Sequence, residues 1–268
     1  MLKRPLLFAL TLIVAAMWSS PEAATGRVAQ GQSAWRTSES QHFEIHYLPT
    51  LVSDLERVTR GAERAYALLS ARLTFSLPAK VPLIMFAPSA GMPLQQVVTY
   101  ARSDRVASRL EPHRSRMVLP VRDGNSQLDA LIVHELTHHF VSEIILPQRP
   151  GDGGVPRWVH EGVARYMADG WSDEDERLMR EIAATGRVPA LSQMIGDGGN
   201  PRLNGALGHV AFAYIESRWG ASAIRRFIDA LIVPRVDKSY DAVFDLTPEA
   251  FDAAFRQYVE RRFGLVGR

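Results

Sequence analysis

Cysteine is absent from all 268 residues. That rules out a disulfide framework, a thiolate metal ligand, a cysteine nucleophile and a cysteine-linked lipid anchor. Any metal must sit on histidine and carboxylate, and the fold must rest on its apolar core, which a chain of this length can supply. A basic stripe is missing as well. Lys and Arg number 31 against 29 acids, a formal charge of +2, and the arginines are scattered. Without a continuous positive track for phosphates, no nucleic-acid partner is expected. No apolar run is long enough to span a bilayer, which takes about 20 residues. The one candidate, Pro5 to Trp18, falls short of that.

This run follows Lys3 and Arg4 and ends at Ser19, Ser20 and Pro21, the layout of an export signal. Residues 1–24 are therefore expected to be a signal peptide cut near Ala23 or Ala24, or an N-terminal anchor if the leader stays. A periplasmic or secreted protein follows, membrane-bound only in the second case. Removal after Ala24 leaves 29 basic against 28 acidic residues.

Residues 25–268 read as one α+β domain. Gln41 to Tyr47 alternates Phe43, Ile45 and Tyr47 against His42, Glu44 and His46, predicting a strand with one buried face. Leu51, Leu55, Val58, Ala62, Ala65 and Leu69 recur at helical spacing, and Pro78 bounds that helix. Val81 to Phe86 and Arg116 to Val121 read as buried strands. From residue 126 onward helical periods dominate. Ser126 with Asp129 opens a helix to about Ile145 as a capping box. Gly151 to Gly154 is a loop, Pro156 suits the first turn of a helix carrying Trp158 to Ala168, and Ser172 with Asp175 opens another. Helices follow over Ala206 to Trp219 and Ala221 to Ile232. A last one, from Thr247 and Pro248, buries Phe251, Phe255, Val259 and Phe263. The first stretch, 25–125, is thus α/β in character and 126–268 helical.

Residues 134 to 140 spell HELTHHF. His134 and His138 lie one turn apart, so both imidazoles leave the same helix face and can share an ion. Glu135 is about 100° further round, placed to take a proton from an attacking water and return it to a leaving amine. Glu161 stands 23 residues beyond His138 in the next predicted helix. Two antiparallel helices joined by a loop of about a dozen residues bring it opposite the two rings, with Gly162 and Ala164 permitting close approach. Two nitrogens, one oxygen and an open fourth position are the ligand set of catalytic zinc. One Zn2+ per chain is expected.

HELTHHF followed by WVHEGVARY resembles the gluzincin metallopeptidases, whose pattern is HExxH and then a glutamate within W-x-x-E-G-x-A-x-Y. The order of elements resembles the peptidase MA-like family over approximately residues 35 to 265. The resemblance implies a two-lobed zincin-like fold, an N-terminal α/β lobe and a C-terminal helical lobe with the metal between them, and the strand at Arg116 to Val121 lying along the substrate. It implies a zinc metallopeptidase in which Glu135 is the general base. It also implies an oxyanion donor from beyond the metal helices, for which His209 is the first candidate and Tyr166 the second. The expected substrate is a protein or peptide, cell-wall peptide included. Metzincins are excluded, because Val141 and Ile144 occupy the positions of their glycine and third histidine. The chain departs from some gluzincins at Arg165, where those carry an aspartate that orients a zinc-bound histidine. Asp129, Glu143 and Asp169 are candidates for that duty. His139 and His160 read as packing or surface residues, and His42, His46 and His113 have no partner pattern. The competing expectation is a zincin-fold binding or scaffold protein of the cell envelope without turnover; Glu135 weighs against it, since a structural site would not need a base there.

Overall fold

The computed structural model describes residues 35–87, 117–121, 127–145, 147, 155–194, 200–232 and 236–264. The leader, His113, Ser126 and the loop Gly151 to Gly154 lie outside the described residues. Four strands form one sheet in the order β1 (Arg36–Glu39), β2 (Phe43–Tyr47), β3 (Val81–Phe86) and β4 (Met117–Pro120). β1 was not expected from the sequence. It is four residues long and largely exposed, so it has no apolar alternation to read, and it exists by pairing antiparallel to β2. β2, β3 and β4 run parallel. α1 (Val52–Leu73) is the crossover that parallel neighbours β2 and β3 require.

The one-faced burial expected of β2 is corrected by the sheet. Phe43, Ile45 and Tyr47 are in the core, but His46 is buried as well. Its register partner is Ile84, whose partner in turn is Val118. Ile84, Val118 and Trp35 make a small second cluster on that face. Both faces of the central strands are therefore covered, as is usual of parallel sheets.

α1 buries Val58, Ala62, Ala65, Leu69 and Leu73, the three-and-four spacing read from the sequence. Its C-terminus closes on Thr74 in the left-handed region, at φ 48°. Arg225 donates to the Leu73 and Thr74 carbonyls there, satisfying acceptors a helix end leaves unpaired. α2 (Leu128–Ile145) buries Leu128, Ile132, Leu136, Phe140 and Ile144. These residues meet α1 and β4. α3 (Arg157–Met167), α4 (Asp173–Thr185), α5 (Pro201–Trp219), α6 (Ser222–Ala230), α7 (Val236–Phe244) and α8 (Pro248–Phe263) complete the helical part. α7 was not anticipated. α8 begins on Thr247, whose hydroxyl accepts from the Ala250 N–H, and buries Phe251, Phe255, Val259 and Phe263 as expected.

One hydrophobic cluster runs from Phe43 in β2 to Phe263 in α8. The α+β class is thus observed, with sheet and helices sharing a continuous core. Among the described residues no helix is long and apolar enough to cross a membrane.

Candidate metal centre

α2 carries its buried leucine, isoleucine and phenylalanine face inward, which leaves His134 and His138 on its flank. Their Nε2 atoms are 3.2 Å apart, with the rings nearly perpendicular. α3 crosses against α2 and sets Glu161 Oε2 3.8 Å from His134 Nε2. One donor atom from each of the three residues lies within 4.8 Å of the others. The sequence expectation that these three converge is met in space.

What holds α3 in place is its other side, packed on α5. A Cβ added at Gly208 would stand 2.2 Å from the Trp158 carbonyl oxygen, and one at Gly162 would stand 2.5 Å from the Gly208 backbone. Only paired glycines allow two helix backbones to touch this way. Trp158, fully buried, fills the neighbouring space against Phe212 and Phe227. The glycine of the E-G dipeptide therefore faces α5 while the glutamate faces α2, about 100° apart on one helix.

Electrostatics prepare both rings for a cation. Burial pushes His134 down to about 4, helped by the charges of His138 and Arg165, and burial alone pushes His138 down to about 4. Each is a neutral imidazole at neutral pH, the form that binds metal. The site is still reachable, since the His134 and Glu161 side chains are 22% and 31% exposed. Donors around a tetrahedral zinc at about 2.0–2.1 Å are about 3.3 Å apart; the two imidazoles, at 3.2 Å, match that spacing, and Glu161, 3.8 Å from His134, stands slightly further out. The donor set, two imidazoles and a carboxylate, is one zinc accepts. Glu135 is half-buried on α2, next in sequence to His134.

The two candidate oxyanion donors stand elsewhere on α3 and α5. The Tyr166 hydroxyl donates to the Glu216 carboxylate, which also pairs with Arg72 at 2.6 Å. Arg72 in turn lies over the Tyr166 ring. Burial and the Glu216 carboxylate raise the phenol to about 12. His209 is buried between Tyr166 and Trp171, 5.4 and 4.9 Å away between ring centres. Burial, with the nearby Arg165 charge, lowers its pKa, and its Nδ1 is buried without a hydrogen-bond partner. Among the described contacts none joins either residue to His134, His138 or Glu161.

Of the carboxylates considered for orienting a ligand, Asp129 pairs with Arg64 at 3.1 Å on the surface. Glu143 lines a small cavity with His139 and Lys80. Asp169 is exposed in the turn after α3, at φ 51°. His160 is half-buried on α3. His42, unassigned by the sequence, donates its backbone N–H and presents Nδ1 to Glu63, at 2.9 and 2.6 Å, and stacks on Tyr66. The residue that sequence reasoning undervalued is Arg165. Noted only as a departure, it forms an ion pair with Asp175, whose side chain is 1% exposed, and its charge reaches His134. Its spacing of four from Glu161 was the available signal. No protein-family model matches the chain, and no curated protein is significantly similar to it.

Proposed function

We propose that the chain is a zinc-dependent metallopeptidase of gluzincin type, with a zincin-like arrangement in which the metal centre stands between the α/β part and the helices. The observation that carries this is the convergence of His134, His138 and Glu161 within 4.8 Å, from two helices whose other faces are locked in the core. Zinc, when bound, supplies Lewis-acid activation of water and of the scissile carbonyl. His134 and His138 would hold it through ring nitrogens, and Glu161 through a carboxylate oxygen. Glu135 takes the proton of the attacking water on its carboxylate and hands it to the leaving amine nitrogen. β4 is the last strand of the sheet among the described residues, and an extended peptide adding to its outer edge would give the substrate a fixed register. The basic-then-apolar leader supports work outside the cytoplasm on protein, peptide or cell-wall peptide.

The test is metal content and peptidase activity of the chain and of Glu135→Gln. The expected result is about one zinc in each protein and turnover only in the first, since removing a general base costs roughly 10²–10⁴-fold. A chain that takes up no zinc overturns the proposal; one that takes up zinc but cleaves no peptide in a broad library is a zinc-holding scaffold instead.

A further inference from the structure

We propose that His209 is a proton-sensitive latch on the packing of α3 against α5: neutral, it keeps Glu161 in front of His134, and on taking a proton it lets α3 go, so that mild acid releases the candidate metal centre. The latch itself rests on the packing around His209, and what it releases rests on the metallopeptidase reading.

His209 follows Gly208, the residue whose backbone is pressed on Trp158 and Gly162 of α3. Its ring meets the last turn of that helix. It lies 5.4 Å from the Tyr166 ring and 4.9 Å from the Trp171 ring, and Trp171 is backed by Phe263 of α8 at 5.8 Å. The imidazole is also hydrogen-bonded to the Arg165 backbone. His209 therefore fastens the C-terminal end of α3 to α5. Glu161 leaves α3 one turn earlier and faces His134, so whatever holds this end of the helix holds the carboxylate at the centre.

A neutral imidazole has one N–H to donate and one lone pair to accept with, whereas the imidazolium donates from both nitrogens. His209 is 7% exposed, and among the described residues its Nδ1 is buried without a hydrogen-bond partner. A proton added there finds no acceptor and brings a charge into a desolvated place. The charges that face the ring oppose it further. Arg165 on α3 and Arg262 on α8 repel it, and Asp169 in the turn after α3 attracts it but is exposed, where water and salt screen it. The other nearby polar groups are engaged: the Tyr166 hydroxyl by Glu216, and Asp175 of α4 by Arg165. Burial first, and the Arg165 charge next, hold the group below its ordinary 6.5. With the folded value below the unfolded one, the contribution of the neutral ring is present above about pH 6.5 and is lost as pH falls through the folded value. Backbone packed on backbone at Gly162 and Gly208 leaves little room for partial adjustment. A ring driven out to water opens that contact, and Glu161 moves with α3.

The experiment compares the full chain with His209→Phe and His209→Asn, neither of which titrates there, between pH 8 and pH 5. Ring-nitrogen shifts of His209 in the wild type report its protonation, and hydrogen exchange reports the amides of α3. His209 should stay neutral well below pH 6.5, and α3 should lose protection where it takes its proton. In urea, the unfolding equilibrium should rise more steeply with acid in the wild type than in either variant, by up to about 10-fold per pH unit below 6.5, the effect of one proton. Zinc affinity against a chelator should fall more between pH 7 and pH 5 in the wild type than in the variants. A His209 that titrates at its ordinary value in the folded chain, an α3 that stays protected once it has titrated, or pH slopes that coincide in all three proteins overturns the latch. If His209→Phe does not fold, His209→Asn and the wild-type titration decide. Unequal unfolding slopes with equal losses of zinc affinity overturn the release of the centre. A steeper wild-type slope in a protein that takes up no zinc keeps the latch and removes the metal reading.

Discussion

His134 and Glu161 meet because each has a near neighbour in its helix that must be buried elsewhere. Next to Glu161, Gly162 is pressed on α5, and two residues after His134, Leu136 is fully buried. Replacing Glu161 with Gln keeps the shape and removes the charge. Zinc affinity should fall by more than the roughly 10–100-fold that loss of an outer-shell partner costs, in competition with a chromophoric chelator; unchanged affinity would make Glu161 a solvated acid. Tyr166 presents the opposite case. Its hydroxyl is engaged by Glu216, so Tyr166→Phe should cost about 1–2 kcal/mol of stability and change peptide turnover less than threefold. A loss of turnover near 100-fold with stability intact would place the phenol in the chemistry after all.

At the scale of elements, the pairing of α3 with α5 decides whether the site assembles. Gly208→Ala forces a methyl group against the Trp158 carbonyl, and overpacking of this kind costs about 1–3 kcal/mol. Urea titration should show that loss, and zinc affinity should drop with it because Glu161 shifts. An alanine that leaves both unchanged would mean the helices separate freely. The turn from α3 to α4 adds a pH dependence. Burial pushes the Asp175 carboxyl up, but the Ser172 hydroxyl and the Arg165 guanidinium outweigh it, and the group titrates below its ordinary 3.8. With the folded value below the unfolded one, its contribution is present above about pH 4 and is lost as pH falls through the folded value. Asp175→Asn should therefore lower stability at pH 7 and flatten the acid limb of a stability-against-pH curve. An acid limb of unchanged slope would show that other carboxylates carry it.

For the whole molecule, the candidate metal group bridges α2, which packs on α1 and β4, and α3, which packs on α5. An ion held there ties the sheet side of the core to the helical side. Zinc at about 100 times its dissociation constant adds about 2.7 kcal/mol to folding if the unfolded chain does not bind it. The thermal midpoint should rise with zinc, fall with a chelator, and respond to neither in His138→Ala. A midpoint indifferent to zinc in the wild type would count against the centre.

Much of the site was legible because it is written in local spacing. HELTH sets two rings on one helical face whatever surrounds it, and the apolar periods of α1, α2 and α8 place those helices before any contact is known. The buried run of β3 is equally plain. Other features were not readable because their cause is distant in the chain. β1 is made by its pairing with β2, and His46 is buried in the sheet between its partners Thr37 and Ile84 rather than by its own strand pattern. Tyr166 is claimed by Glu216, 50 residues on, and His42 by Glu63 across a helix. Arg165 reads in the sequence as a departure, and only packing over Gly205 and pairing with Asp175 fix its charge in place. Helical and strand periods are properties of a few consecutive residues, so sequence alone determined most of the elements and the residues of the candidate ligand set. Burial and charge at a site sum over every element packed against it, so the tertiary structure alone decided which side chains were already engaged and which still face the centre.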